Sequence, residues 1–254
     1  MLATERRMQI LEYLKEKGSA EVSELSATFG VSEVTIRRDL DELARRNLII
    51  RVHGGAVPYS WGTSFEPLYD SKKGLHVDEK SRIGAAAAQL VHDGETIILD
   101  SGTTTWQIAN KLRSRYDLTV VTTDLNIAGV LSTNPTIRVI IAGGLVRPGL
   151  FCCVGPYTEE LLNRLNVDKT FLGADAISVE KGVTNATVEE VPVKQAMIRA
   201  GHQVILVADH SKFQKVAFAK VADLSQIDCI ITDNAVPDKV IQSLRDMKIE
   251  VRAV

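Results

Sequence analysis

Cysteine is scarce in this chain: three occur in 254 residues, at Cys152, Cys153 and Cys229. None forms a C-x-x-C pair and no histidine set stands near them, so neither zinc ligation nor a disulfide framework is expected. Adjacent Cys152 and Cys153 cannot easily bridge each other, and small apolar filler in a reducing compartment is the simplest role for all three. Long hydrophobic runs are also missing, since no stretch approaches the roughly 20 apolar residues that span a bilayer. The first residues lead into a charged helix with no signal-peptide apolar core. The expectation is a cytoplasmic protein with no membrane partner. Nor is there an excess of charge of one sign. Thirty Lys and Arg against 32 Asp and Glu leave a net charge of −2, which excludes adhesion to nucleic acid by bulk charge. No internal repeat or low-complexity tract appears. The composition, 45% hydrophobic and 24% charged, is that of a globular protein, with room for a small domain and a larger one.

The most informative stretch is Ser32-Glu-Val-Thr-Ile-Arg-Arg-Asp-Leu40. Ser32 suits an N-cap, and Ile36, Leu40 and Leu43 follow at helical spacing as a buried stripe. Thr35, Arg37 and Arg38 project away from that stripe, and such a helix suits the major groove of DNA. Upstream, a first helix is expected from about Thr4 to Lys17, stopped by Gly18, with Met8, Leu11 and Leu14 inward. Ser23 can cap a second helix carrying Leu25 and Phe29. Gly30 supplies the turn and Val31 fills the angle, which makes a helix-turn-helix. Downstream, Leu48 to Ala56 is β-branched or alternating and holds two adjacent glycines, so a β-hairpin wing is expected. Arg51 and His53 would reach phosphates or the minor groove from it. Basic and acidic residues cancel up to Val57, but the arginines gather from the third helix to the wing.

Residues 58–77 carry Pro58, Gly62, Pro67 and Gly74 without helical or alternating pattern, so a linker is expected, with Trp61 and Phe65 docking on a neighbouring surface. From Asp78 to residue 254 strand and helix alternate, which implies an α/β domain with a mostly parallel sheet covered on both faces. Strands are expected at 96–99, 118–121, 138–142, 170–172, 204–208 and 227–232. Helices are expected at 79–91, 106–112, 158–165, 192–200 and 237–247. Ligands bind such sheets at the carboxyl ends of the strands. There Asp100 precedes Ser101, Gly102, Thr103, Thr104 and Thr105, a loop suited to phosphate, with Asp100 available for a sugar hydroxyl. It is neither a Walker loop nor a G-x-G-x-x-G fingerprint. Gly143 and Gly144 end another strand with Arg147 nearby, Asp175 ends a third, and the Asp209 to Lys212 stretch ends a fourth. Their convergence predicts a ligand site.

These motifs together resemble the DeoR family of bacterial sugar-metabolism regulators. The matching residues in the head are Val31-Ser32, Thr35 to Leu40 and His53 to Ala56. In the larger domain they are Leu99 to Thr104, Ala142 to Gly144, Gly155-Pro156, Gly173 to Asp175, Glu190 with Lys194, and Asp209 with Ser211 to Phe213. The chain departs from the family pattern at Pro67-Leu68, Ala176, Gln195 and His210. The resemblance implies a repressor with a winged helix-turn-helix at 1–57 and an effector domain of the ribose-phosphate isomerase and CoA-transferase type. It also implies a phosphorylated sugar or sugar alcohol as effector, with Glu190 and Lys194 joining the site. No cofactor or metal is called for. Double-stranded operator DNA is the expected partner. One head makes too few contacts for operator affinity, so a homo-oligomer, dimer or tetramer, is expected. The rival is a sugar-phosphate isomerase using Asp175, Glu190 and Lys212 for proton transfer.

Overall fold

The computed structural model describes residues 2–46, 48–58 and 62–254; the expected docking of Trp61 lies outside them. The chain divides into two compact units, Met1–Gly62 with Asp70–Leu75, and Thr63–Tyr69 with His76–Val254. Among the described residues no helix is long and apolar enough to cross a membrane.

The first unit holds α1 (Ala3–Lys17), β1 (Ala20–Glu21), α2 (Val22–Phe29), α3 (Glu33–Arg45), β2 (Ile49–Val52) and β3 (Gly55–Pro58). Met8, Leu11 and Leu14 of α1 are buried as their spacing predicts, and Gly18 closes the helix in the left-handed region. The expected cap of α2 is corrected. Glu21 is the N-cap, and Ser23 sits inside the helix, where its hydroxyl donates to Glu21. The reason is the two-residue strand β1, which pairs with β3 and runs straight into the helix. Gly55 is required at that pairing, because a Cβ there would lie 2.2 Å from the Ala20 carbonyl oxygen. Ser32 does cap α3, its Oγ accepting the Thr35 N–H at 3.3 Å, and Ile36, Leu40 and Leu43 are buried. Asp39 is buried as well and receives Arg6 at 2.6 Å and Arg7 at 2.7 Å. Strands β2 and β3 form the expected antiparallel wing, with Val52 opposite Gly55 and His53-Gly54 at its turn.

A short helix, α4 (Tyr69–Lys73), occupies part of the stretch read as patternless linker. The second unit then runs α5 (Val77–Gln89), β4 (Thr96–Leu99), α6 (Thr103–Leu112), β5 (Leu118–Thr122), α7 (Leu125–Leu131), β6 (Ile137–Ile141), β7 (Leu145–Arg147), β8 (Cys152–Val154) and α8 (Pro156–Leu162). It continues through β9 (Val167–Leu172), β10 (Ala176–Ser178), β11 (Gly182–Asn185), α9 (Val191–Ala200), β12 (Gly201–Val207), β13 (Ala219–Ala222), β14 (Cys229–Thr232), α10 (Asp238–Asp246) and β15 (Glu250–Ala253). Seven strands form one sheet in the order β15-β14-β12-β9-β4-β5-β6, and each adjacent pair is parallel. Both faces are covered. Ile97 and Leu99 of β4 face a core shared with α5 and α6, while Ile98 between them faces one shared with α8 and α9. Strand order runs from β4 outward to β5 and β6, then returns to place β9 on the other side of β4. The crevice between the carboxyl ends of β4 and β9 is thus a topological switch point.

Candidate effector site and DNA-binding face

In the first unit the exposed side of α3 carries Arg37 and Arg38, with Thr35 partly exposed. Arg37 is paired with Glu33 one turn back at 2.7 Å, and both are solvent-exposed; such a pair contributes little and is easily traded for a phosphate. The Ser32 hydroxyl is engaged in its cap and with the Thr35 hydroxyl. Arg51 braces the wing, donating to the Gly55 carbonyl at 3.2 Å and pairing with Asp41 at 3.2 Å. His53 stands exposed in the wing turn. Val34, which the sequence pattern did not single out, is 56% exposed beside Thr35. An apolar side chain there resembles the groups that meet a thymine methyl.

In the second unit the switch point is bridged by Asp100, which is 1% exposed. One of its oxygens accepts the Ser101 N–H at 2.8 Å. The other accepts the Gly173 N–H at 2.8 Å, from the end of β9, together with the Lys194 ammonium. Asp100 thus ties the end of β4 to β9 and α9, its buried charge matched by Lys194. Burial works against the Lys194 ammonium, but the carboxylates of Asp100, Glu190 and Asp175 outweigh it and hold the group charged. Thr103, Thr104 and Thr105 are the first turn of α6 rather than a loop. Thr103 and Thr105 point inward, and the Thr105 hydroxyl donates to the Gly102 carbonyl at 3.0 Å. Gly102, the N-cap residue of α6, has φ 140° and ψ 169° and makes no side-chain cap of its own. The helix thus begins at a backbone geometry that side chains rarely adopt, and its N-cap residue offers no side chain to the first-turn N–H groups.

A second cluster surrounds Arg147, which bridges Glu190 at 2.5 Å and Glu66 at 2.8 Å. Asn185 donates to the other Glu190 oxygen at 2.5 Å. Carboxylate oxygens of Glu66, Asp175 and Glu190 lie within 4.8 Å of one another, and Asp175 also accepts the Ala186 N–H. Cys152 donates to Glu190, and burial and that carboxylate push its thiol up to about 12. A nucleophilic or redox role for Cys152 is thereby opposed. The space among Asp100, Ser101, Cys152, Glu190 and Lys194 is about 10 Å³, room for no more than one water. Paired charges fill that innermost space. The Gly143 carbonyl accepts from Thr158, and a Cβ on Gly144 would lie 2.5 Å from the Val154 carbonyl oxygen. Lys212 sits on the turn after β12, where its charge acts on Asp209.

Sequence reasoning missed Glu66, Asn185 and Asp124. Asp124 follows β5 and opens α7, accepting from Asn126 at 2.7 Å and Ile127 at 3.1 Å, and its second oxygen takes the Gly102 N–H at 3.1 Å. Burial pushes its carboxyl up to about 6, against those three N–H groups and with help from Asp100. An acid between a strand pattern and a helix was the available signal. Glu66 lies in a stretch without pattern and offered none.

Comparison with known proteins extends this picture. Residues 6–60 match the DeoR-like helix-turn-helix domain, and residues 75–234 match the DeoR C terminal sensor domain. The putative aga operon transcriptional repressor of Escherichia coli is 36% identical over 98% of this chain and 93% of its own length. The glycerol-3-phosphate regulon repressor of Escherichia coli is 35% identical over 99% of both. Among solved structures, ribose 5-phosphate isomerase A of Methanocaldococcus jannaschii is similar over 54% of each chain, at 17% identity and TM-score 0.39. The full-length relatives are regulators and the isomerase reading falls away. The chain belongs to the DeoR family and is a DNA-binding transcriptional regulator, not an enzyme.

Proposed function

We propose that this regulator represses a carbohydrate-metabolism operon and is controlled by a phosphorylated sugar or sugar alcohol held where β4 and β9 diverge. The observation that carries the reading is the uncapped start of α6 at Gly102, set beside the buried Asp100–Lys194 pair. The N–H groups of Thr103 to Thr105 and the positive end of the helix suit a phosphate. Ser101 and Thr104 border them. The hydroxyls would meet Glu66, Asp175, Glu190 and Asn185, with Arg147 and Lys212 balancing charge. The relative named for the glycerol-3-phosphate regulon points to the same ligand class. On the DNA side, Thr35, Arg37 and Arg38 would enter the major groove with Val34, and His53 would reach the backbone from the wing. Two heads on a homodimer would read one operator.

The test is a thermal-shift panel of phosphosugars, with the unphosphorylated sugars as controls. A true effector at 100 times its dissociation constant stabilises the protein by about 2.7 kcal/mol. It should also change operator affinity by about 5–150-fold. A panel in which no phosphorylated compound moves the unfolding midpoint overturns the effector assignment. Arg37→Ala should weaken operator binding by about 1–3 kcal/mol and leave effector affinity unchanged. Unchanged operator binding in a gel-shift titration defeats the assigned recognition face.

A further inference from the structure

Asp209 follows β12 and is fully buried. Its Oδ1 accepts the Ser211 N–H at 3.0 Å. Its Oδ2 meets no hydrogen-bond donor among the described residues. Burial works against this carboxylate, but Lys212, Lys80 and His76 outweigh it and hold it charged, which leaves a charged oxygen without a hydrogen-bond donor facing the nearby imidazoles. Two imidazoles lie around it. One ligand atom each from His76, Asp209 and His210 lie within 4.8 Å of one another. The two rings meet edge to face with centroids 4.7 Å apart. Nδ1 of His210 lies 3.0 and 3.1 Å from the two carboxylate oxygens of Asp233. Asp233 is itself buried and fixed by the N–H groups of His210 and Ala235. An imidazole whose Nδ1–H is held by a carboxylate presents Nε2 as a free lone pair, the outer-shell arrangement that accompanies metal-bound histidine.

We propose that His76, Asp209 and His210 form a binding site for a divalent transition metal of the zinc type, with Asp233 orienting His210. Two imidazole nitrogens and one carboxylate oxygen are donors such an ion takes, with water completing the shell. Bonds of about 2.0–2.1 Å set tetrahedral donors roughly 3.4 Å apart. The three atoms, already within 4.8 Å, come together by side-chain rotation. The charges of Lys80 and Lys212 also act on Asp209, and a dication competes with them, so micromolar affinity is expected. The cluster of Glu66, Asp175 and Glu190 is a different case, since Arg147 already bridges two of its members.

The test is a titration of the untagged, chelator-treated full chain with Co²⁺, followed by displacement with Zn²⁺. The expected result is one equivalent bound with the intense visible bands of a four- or five-coordinate nitrogen and oxygen site. His76→Ala and His210→Ala should each weaken binding at least tenfold, and Asp233→Asn by about 10–100-fold. Replacing the other histidines, His53, His92 and His202, should change nothing. Unfolding midpoints of the metal-free variants, compared with the metal-free parent, separate lost ligation from lost folding. Should one alanine variant fail to fold, His76→Gln and His210→Gln serve in its place. No visible bands, or parental affinity in both histidine variants, overturns the proposal.

Discussion

Asp39 lies on α3 at a position where a leucine would serve for packing alone. Its carboxylate is instead 2% exposed and receives the guanidinium groups of Arg6 and Arg7 from α1. A buried charge cluster of this kind is weak as a source of net stability but costly to break, because the survivors remain buried without a counter-charge. Asp39→Ala is expected to destabilise the head by about 3–5 kcal/mol. The loss should appear as faster amide exchange in α1 and α3 with little change around the large sheet. Equal loss of protection in both units would show that Asp39 does not act locally. Asp124 gives the opposite sign. Its carboxyl is raised from 3.8 to about 6 in the folded protein, so the folded state binds the proton more tightly than the unfolded one. Stability is therefore greatest below the unfolded value, falls as pH rises from about 4 to 6, and stays lower above that. Asp124→Asn removes this dependence, so the variant should gain on the parent by roughly 3 kcal/mol between those limits. Parallel stability curves for the two proteins from pH 4 to 7 would refute that.

Elements differ in how plainly the sequence announces them. Helix α3 is legible because cap, apolar stripe and arginines coincide within a dozen residues. Strand β4 is legible because an apolar run ends in an acid and a glycine. The start of α6 is not. Three consecutive threonines favour extended structure locally, yet tertiary packing draws Thr103 and Thr105 inward and begins the helix at once. Short elements such as β7, β10 and β11 lack the length for a periodic signal, and α7, absent from the expected helices, has only its capping Asp124 as a signal. The site follows the same rule. Asp100 stands out at its strand end and Lys194 enters only with the family resemblance, and their mutual neutralisation depends on β9 returning beside β4, which no local pattern encodes. Gly102 is the element-scale hinge of this arrangement. With φ at 140° and nothing closer than 3.7 Å to a Cβ, Gly102→Ala meets backbone strain and not a clash. A cost of about 1–3 kcal/mol is expected, with loss of effector binding and retained binding of operator. A variant that binds phosphosugar as tightly as the parent would remove the α6 start from the site.

At the scale of the whole molecule, charge decides how DNA must be held. The net charge of −2 supplies no general attraction, and each head offers only a short arginine-bearing face. One head that neutralises about four phosphates gives a slope of log affinity against log salt near −3.6, and two heads acting together give roughly −7. The steeper slope is expected, on an operator with two half-sites one helical turn apart, or about 10 base pairs. Sedimentation with labelled operator should then count two or more chains per DNA. A duplex carrying one half-site should bind far more weakly, because only half of the phosphate contacts remain. If the single half-site keeps full affinity with the shallow slope, one head suffices and effector control through paired heads has no physical basis. If the slope is steep and a phosphosugar changes affinity without changing that slope, the effector acts on the fraction of dimers able to place both heads, not on the contacts each head makes.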